Sequence, residues 1–331
     1  MSLHPSAKLV GTLLKIETLE QRPTRDGFGE GLVAAGEKNP NVVALCADLA
    51  ESTRSDAFAA KFPERFFECG VAEQNMAAVA AGLASAGKIP FISSYAAFSP
   101  GRNWEQIRTT VAYNGANVKI AGHHAGVSVG PDGATHQMTE DIALMRAMPG
   151  MRVIVPCDAL EARKATEAAA LVSGACYLRF AREKSPVFTT AASPFVPGKA
   201  QILWESPKPR VAIFGCGPIL YAALQAVLLL EREGIAATVV NCHTVKPLDA
   251  AKVASIAKKC GAAVTAEEHQ VMGGLGGAVA ECLARECPVP VEFVGMQDIF
   301  GQSGTPAELA LHYGLDARAI FRAAKKAIAR A

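Results

Sequence analysis

The feature that narrows the fold most is a rhythm. Short runs, almost wholly apolar, at Val42–Cys46, Ile89–Ile92, Val118–Ala121, Arg152–Val155 and Cys176–Phe180 alternate with helix-like stretches at Thr24–Lys38, Trp104–Tyr113 and Glu161–Leu171. Runs that are apolar throughout, rather than at every second position, belong to strands buried on both faces. Such strands, separated by helices, fold as a parallel sheet with helices on each side. The rhythm stops at residues 184–209, where Pro186, Pro194, Pro197, Pro207 and Pro209 mark a connector. It resumes at Val211. Strands are expected at Val211–Phe214, Ala237–Val240, Ala263–Ala266 and Val291–Val294, with helices at Ile219–Glu233, Ala250–Lys259, Gly277–Arg285 and Ala317–Ala329. The sequence thus predicts an α/β chain of two domains, each a mostly parallel sheet covered by helices. A length of 331 residues suits two domains of about 150 each.

Residues 1–22 stand outside the rhythm. Leu9, Val10, Leu13, Leu14 and Leu19 cluster as on one side of a helix, which predicts a helical arm packed on a partner subunit or on its own chain. Lys8 and Lys15 interrupt that apolar patch, so it does not read as a signal peptide. The longest apolar stretch, Ile219 to Leu230, is too short to span a bilayer. A net charge of +2 gives no reason to expect nucleic acid or an acidic membrane as partner. The nine cysteines include no C-x-x-C pair and lie mostly in apolar runs. They read as small buried hydrophobes of a reduced, cytoplasmic protein.

One junction carries chemistry. Gly70-Val71-Ala72-Glu73-Gln74-Asn75-Met76 joins the run Arg65–Cys69 to a tract of small residues ending at Gly87, a strand, turn and helix with Glu73 in the first helical turn. An acid there is ordinarily exposed and favoured by the helix dipole. Here Ala77, Ala78, Ala80, Ala81, Gly82, Ala84 and Ala86 leave the helix no polar face, which predicts burial nearly all round. A carboxylate at the mouth of a buried helix needs a partner or a proton. Other candidates are Tyr95 and Phe98, three apart after a strand, and His124, Asp132 and His136 around a Gly-rich loop. Loops at the carboxyl ends of parallel strands are where such sheets bind ligands. Thr139 is a plausible N-cap for the helix that follows.

The stretch GVAEQNM with its Ala/Gly-rich helix resembles the glutamate motif of the transketolase family of thiamine diphosphate enzymes. Gly122-His123-His124-Ala125-Gly126 and Gly130-Pro131-Asp132-Gly133-Ala134-Thr135-His136-Gln137 fit the same family, in order and correctly spaced. The resemblance runs from about Thr24 to Ala331. It implies a pyrimidine-binding domain at 23–192, a linker at 193–204 and a transketolase C-terminal domain at 205–331. Glu73 would bond the pyrimidine ring of thiamine diphosphate, and as a buried acid hold a proton near neutral pH. Tyr95 and Phe98 would stack on that ring, and Asp48 and Leu49 would line the cofactor loop. His124, Asp132 and His136 would contact the sugar, with His136 as proton relay. Ser52 would join them, and Arg25 and Arg182 would take the substrate phosphate. The implied activity is transfer of a two-carbon ketol unit between sugar phosphates. Deoxyxylulose phosphate synthase and the beta subunit of pyruvate dehydrogenase have similar halves, and a structural or regulatory subunit without turnover is the reading outside enzymes.

Two further patterns do not carry their usual chemistry. Gly126-Val127-Ser128-Val129-Gly130 matches a hydrolase elbow, but Gly130-Pro131-Asp132-Gly133 follows where that elbow requires a helix. Gly215-Cys216-Gly217 lacks the third glycine of a dinucleotide site, since Leu220 stands there. Glu267-Glu268-His269 and Gly273-Gly274-Leu275-Gly276-Gly277 read as packing and interface features. The family anchors the cofactor's diphosphate through Mg²⁺ held by a Gly-Asp-Gly motif in a preceding domain. This sequence contains no Gly-Asp-Gly, and 22 residues before the first domain are too few for another. The expectation is therefore half an enzyme: no metal ligands here, Mg²⁺ held by a separately encoded N-terminal subunit, and a heterotetramer with a twofold axis.

Overall fold

The computed structural model describes residues 2–331. Its first layer is a seven-stranded sheet in the order Thr244–Lys246, Arg152–Ile154, Cys176–Arg179, Lys119–His123, Ile89–Tyr95, Val42–Cys46, Phe66–Glu68. Every pair is parallel except the one made by Thr244–Lys246. The central strands are buried at almost every position, the charged or polar Lys119, His123 and Arg179 included. Helices Thr24–Lys38 and Ala159–Leu171 cover one face and cross closely. A Cβ on Gly27 would lie 1.9 Å from the Ala159 carbonyl oxygen, so only glycine permits this crossing. Helix Glu73–Ser85 covers the other face through Met76, Ala77, Ala80 and Ala81.

The second layer is a six-stranded sheet, Ser2–Leu3, Gln201–Glu205, Ala237–Asn241, Val211–Gly215, Ala263–Gln270, Val291–Met296, parallel across its last four strands. Amphipathic helices Leu220–Arg232 and Ala317–Ala329 bury Leu224, Val227, Ile320 and Ala324 against it. The domains exchange strands, since Thr244–Lys246 of the second half extends the first sheet and Ser2–Leu3 extends the second.

Several expectations are corrected. The N-terminal arm is not a helix. It runs as strand Ser2–Leu3, 3₁₀ turns at Pro5–Ala7 and Ile16–Thr18, and strand Gln21–Arg22. It packs on its own chain, where Leu13 is buried and its carbonyl accepts the Tyr221 hydroxyl. The edge of the second sheet offers backbone partners that an isolated helix would forgo. The segment expected as linker 193–204 contains most of strand Gln201–Glu205. Thr139 does not cap the next helix; Glu140 holds that position and its carboxylate accepts the Thr139 N–H. Helical turns do follow Gly126, but as a 3₁₀ segment, Val127–Asp132, kinked at Gly130. Helix Glu73–Ser85 is not buried all round: Val79 is 39% exposed, and Gln74, Asn75, Ala78 and Gly82 also face outward. All nine cysteines are free, seven of them buried.

Candidate active site

The strands Val42–Cys46, Ile89–Tyr95, Lys119–His123 and Cys176–Arg179 run in one direction, so the loops after them meet along one edge. That edge gathers the residues singled out in the sequence. Glu73 is the first residue of its helix and only 1% exposed. Its Oε2 accepts Arg102 Nη1 at 2.7 Å, and its Oε1 has the Ser94 hydroxyl at 3.4 Å. Asn103 Nδ2 donates to the Glu73 carbonyl at 3.0 Å and fixes the start of the helix. The carboxylate expected to need a partner or a proton thus has a partner, and Oε1 retains room for another donor.

Tyr95 ends its strand and stacks on His124, with ring centroids 3.8 Å apart at 22°. Phe98 lies parallel to Tyr95 at 5.9 Å, and His136 meets Phe98 edge-on at 5.5 Å. The Arg102 guanidinium covers Phe98, 4.6 Å from the ring centre, and so links this aromatic group to Glu73. His124 has positive φ and is buried, with no hydrogen-bond partner for Nδ1 among the described residues. Burial, then Arg25, Arg182, His136 and Arg54, push its pKa down to about 3, so the imidazole is neutral at physiological pH. His136 is half-buried, with Nδ1 2.9 Å from the Thr135 hydroxyl.

The polar rim is tied together. Arg182 Nη1 donates to Val129 O at 3.0 Å and to Asp132 at 3.2 Å. Asp132 is therefore paired with the candidate phosphate arginine. Arg25 Nη1 donates to Ser52 O at 2.9 Å, and its buried Nε has no partner among the described residues. Burial first, and then Arg54, lower the Arg25 pKa. Asp48, with φ of 58°, and Leu49 form the turn after Val42–Cys46. Glu68 accepts both the Asp48 and the Gly70 N–H, at 2.7 and 2.9 Å, which joins that turn to the one preceding Glu73. Reasoning from sequence missed Arg102, Ser94 and Arg54. Arg102 lies in the loop Ser99-Pro100-Gly101-Arg102, and no local spacing marks it as the partner of an acid in an earlier element.

The fold and this edge define a two-domain α/β chain of the kind that binds ligands across the carboxyl ends of its first sheet. Residues 20–187 match the family described as "Transketolase, pyrimidine binding domain", and residues 198–320 match "Transketolase, C-terminal domain". The chain belongs to the transketolase family. A putative transketolase C-terminal section from Methanocaldococcus jannaschii is 44% identical, over 90% of this chain and 94% of the relative. Human transketolase is 35% identical over 93% of this chain, which spans 49% of the human protein. A solved split gene transketolase, described as an inactive beta4 tetramer, is 46% identical with a TM-score of 0.87, covering 93% of this chain and 99% of the other. In extent this chain is a transketolase C-terminal section.

Proposed function

We propose that this chain, joined to a separate N-terminal subunit, transfers a two-carbon ketol unit from a ketose phosphate to an aldose phosphate with thiamine diphosphate. The observation that carries the reading is Glu73: a buried carboxylate at a helix start, beside an aromatic stack, on the ligand-binding edge of a parallel sheet. The cofactor supplies a nucleophilic carbon and an electron sink. Its pyrimidine end fits the residues present. Tyr95 and Phe98 are flat partners for a ring, and Oε1 of Glu73 can hold or release a proton to a ring nitrogen. Neutral His124 offers hydrogen bonds to a carbonyl or hydroxyl without adding charge. His136, beside the same stack, moves protons to and from sugar oxygens, and Asp132 orients a hydroxyl. Arg25 and Arg182 supply forks for a phosphate. Asp48, Leu49 and Ser52 line the neighbouring turn.

The other end of the cofactor belongs to a partner. Among the described residues no group of three His, Cys, Asp or Glu side chains is placed to hold a metal. The family resemblance, with the diphosphate anchored in a preceding domain, puts Mg²⁺ and the diphosphate in the N-terminal subunit. The outward face of Glu73–Ser85 is the docking surface: a Cβ on Gly82 would meet nothing within 4 Å, and Val71 is 70% exposed beside it. A twofold heterotetramer satisfies both subunits. The related solved chain, inactive as a tetramer of one subunit type, fits this assignment. Among the described residues no helix is long and apolar enough to cross a membrane.

The test is a coupled assay with xylulose and ribose phosphates. The chain alone should show neither turnover nor tight thiamine diphosphate binding, and addition of the N-terminal subunit with Mg²⁺ should restore both. Ketol transfer by the isolated chain would overturn the assignment.

A further inference from the structure

Several of the contacts that the second domain makes on the first fall on residues 126–143, the segment that follows strand Lys119–His123. Glu268, at the end of the second sheet, accepts the Ser128 N–H through Oε1 at 2.6 Å. Its carboxylate presses so close to Gly126 that a Cβ there would lie 2.3 Å from Oε1. The Gln137 amide, 5% exposed, donates to Val127 O at 3.1 Å, to Gly130 O at 3.3 Å and to Gln302 O at 3.0 Å. A loop of the second domain thus closes the same knot. Arg179 Nη2 bridges Met138 O at 3.2 Å and Glu268 O at 2.9 Å. Most of these bonds end on the backbone of the segment that carries Asp132 and His136 and begins two residues after His124.

Val127 and Val129 of this segment are buried, yet its packing is incomplete on one side. An apolar cavity of about 200 Å³ lies beside it, lined by Val127, Ser128, Tyr221, Glu268 and Pro306 among others. Cutting the tie to Glu268 would leave the segment room to shift. Burial also pushes the Glu268 carboxyl up, opposed by Arg179 and by the Ser128 N–H. The donors that Glu268 serves hold this partly buried acid in place.

We propose that Glu268 is a positioning residue: by accepting the Ser128 N–H it sets the placement of His124, Asp132 and His136, and through them the affinity for the sugar phosphate. This gives the second domain a part in the reaction, and it rests on the ketol-transfer reading above. Glu268 touches none of the aromatic stack and acts only through the backbone of the loop.

Three variants test it in the complete two-subunit enzyme. E268A removes the acceptor. E268D keeps the charge but draws the oxygen back from Ser128, and guards against a folding defect in E268A. E268Q keeps an acceptor of the same reach. E268A and E268D should raise the KM for ketose phosphate about tenfold, the scale of one net hydrogen bond. Thiamine diphosphate affinity, read by calorimetry, should stay within about twofold of the parent, as expected for a group remote from the cofactor. E268Q should restore KM. Hydrogen exchange on the full chain gives a second readout: residues 126–132 should exchange faster in E268A and E268D, with strand Lys119–His123 unchanged. Unaltered KM and unaltered exchange in both variants would overturn the proposal, as would equal losses of substrate and cofactor affinity. Absence of ketol transfer by the parent complex would count against the functional reading alone, and the exchange data would still decide the role of Glu268.

Discussion

Glu73→Gln is the most discriminating substitution. The side chain is 1% exposed, and Arg102, its partner at 2.7 Å, is 46% exposed. Glutamine has the same length, so its amide oxygen can still accept from Arg102 while its NH₂ turns toward Ser94. The pair opens to water on the arginine side, so the lost charge is worth the small amount typical of screened pairs, about 1 kcal/mol or less. For a chain of this size that moves Tm by no more than about 2–4 °C. Turnover should respond differently. An amide cannot exchange a proton with a ring nitrogen, and removal of one preorganised electrostatic group costs about 3–4 kcal/mol, or roughly 10²–10³-fold in kcat. The assay is the coupled ketol-transfer reaction of the two-subunit complex, run beside thermal unfolding of the chain. A variant that keeps more than about a tenth of the parent kcat would refute the role given to Glu73. A variant that unfolds well below the parent would refute the account of the Arg102 pair.

Arg182→Ala should raise KM for phosphorylated sugars and spare unphosphorylated ones; equal losses on both would mark it as a structural tie to Val129 and Asp132. Val79→Arg or Gly82→Trp, on the open face of the Glu73 helix, should leave unfolding of the isolated chain unchanged and abolish association with the N-terminal subunit in analytical ultracentrifugation. Undiminished association would place the interface elsewhere. His124 and His243 have folded pKa values lowered by burial to about 3 and about 4. The unfolded chain takes up these protons near pH 6.5 while the folded chain does not, so their contribution is complete above pH 6.5 and is lost as pH falls toward about 4 for His243 and about 3 for His124. Urea unfolding should show stability dropping by about 1–2 kcal/mol per histidine between pH 7 and pH 5, and a flat profile would refute the neutral assignment.

The elements legible in the sequence were those whose signal is local. An apolar run such as Val42–Cys46 excludes both an exposed strand and a loop, and its bounds agree with the structure. Helices Thr24–Lys38 and Ala317–Ala329 also fall where their patterns put them. The glycine turn before Glu73 fixed that residue at a helix start because glycine adopts the positive φ, 66° at Gly70, that the turn demands. The N-terminal arm misled because five apolar residues satisfy a helix face and an irregular segment equally well, and only packing on the second core, which buries Leu13 and Leu19, chose between them. Strand Thr244–Lys246 is too short for any periodicity, and it joins the first sheet because that sheet has an edge to fill.

The site divides in the same way. The family resemblance, carried by two motifs in order and correctly spaced, nominated Glu73, Tyr95, His124 and His136; each residue type by itself is more often structural. That Tyr95 lies on His124, that Arg102 holds Glu73, and that Asp132 is bound by Arg182 are facts of tertiary structure. So is the exposure of one side of the Glu73 helix: alanine and glycine tolerate both burial and water, and a tract built from them cannot declare which face is covered. Chain chemistry determined which groups this protein could bring to a site. The sheet, by aligning the carboxyl ends of strands far apart in sequence, decided which of them meet.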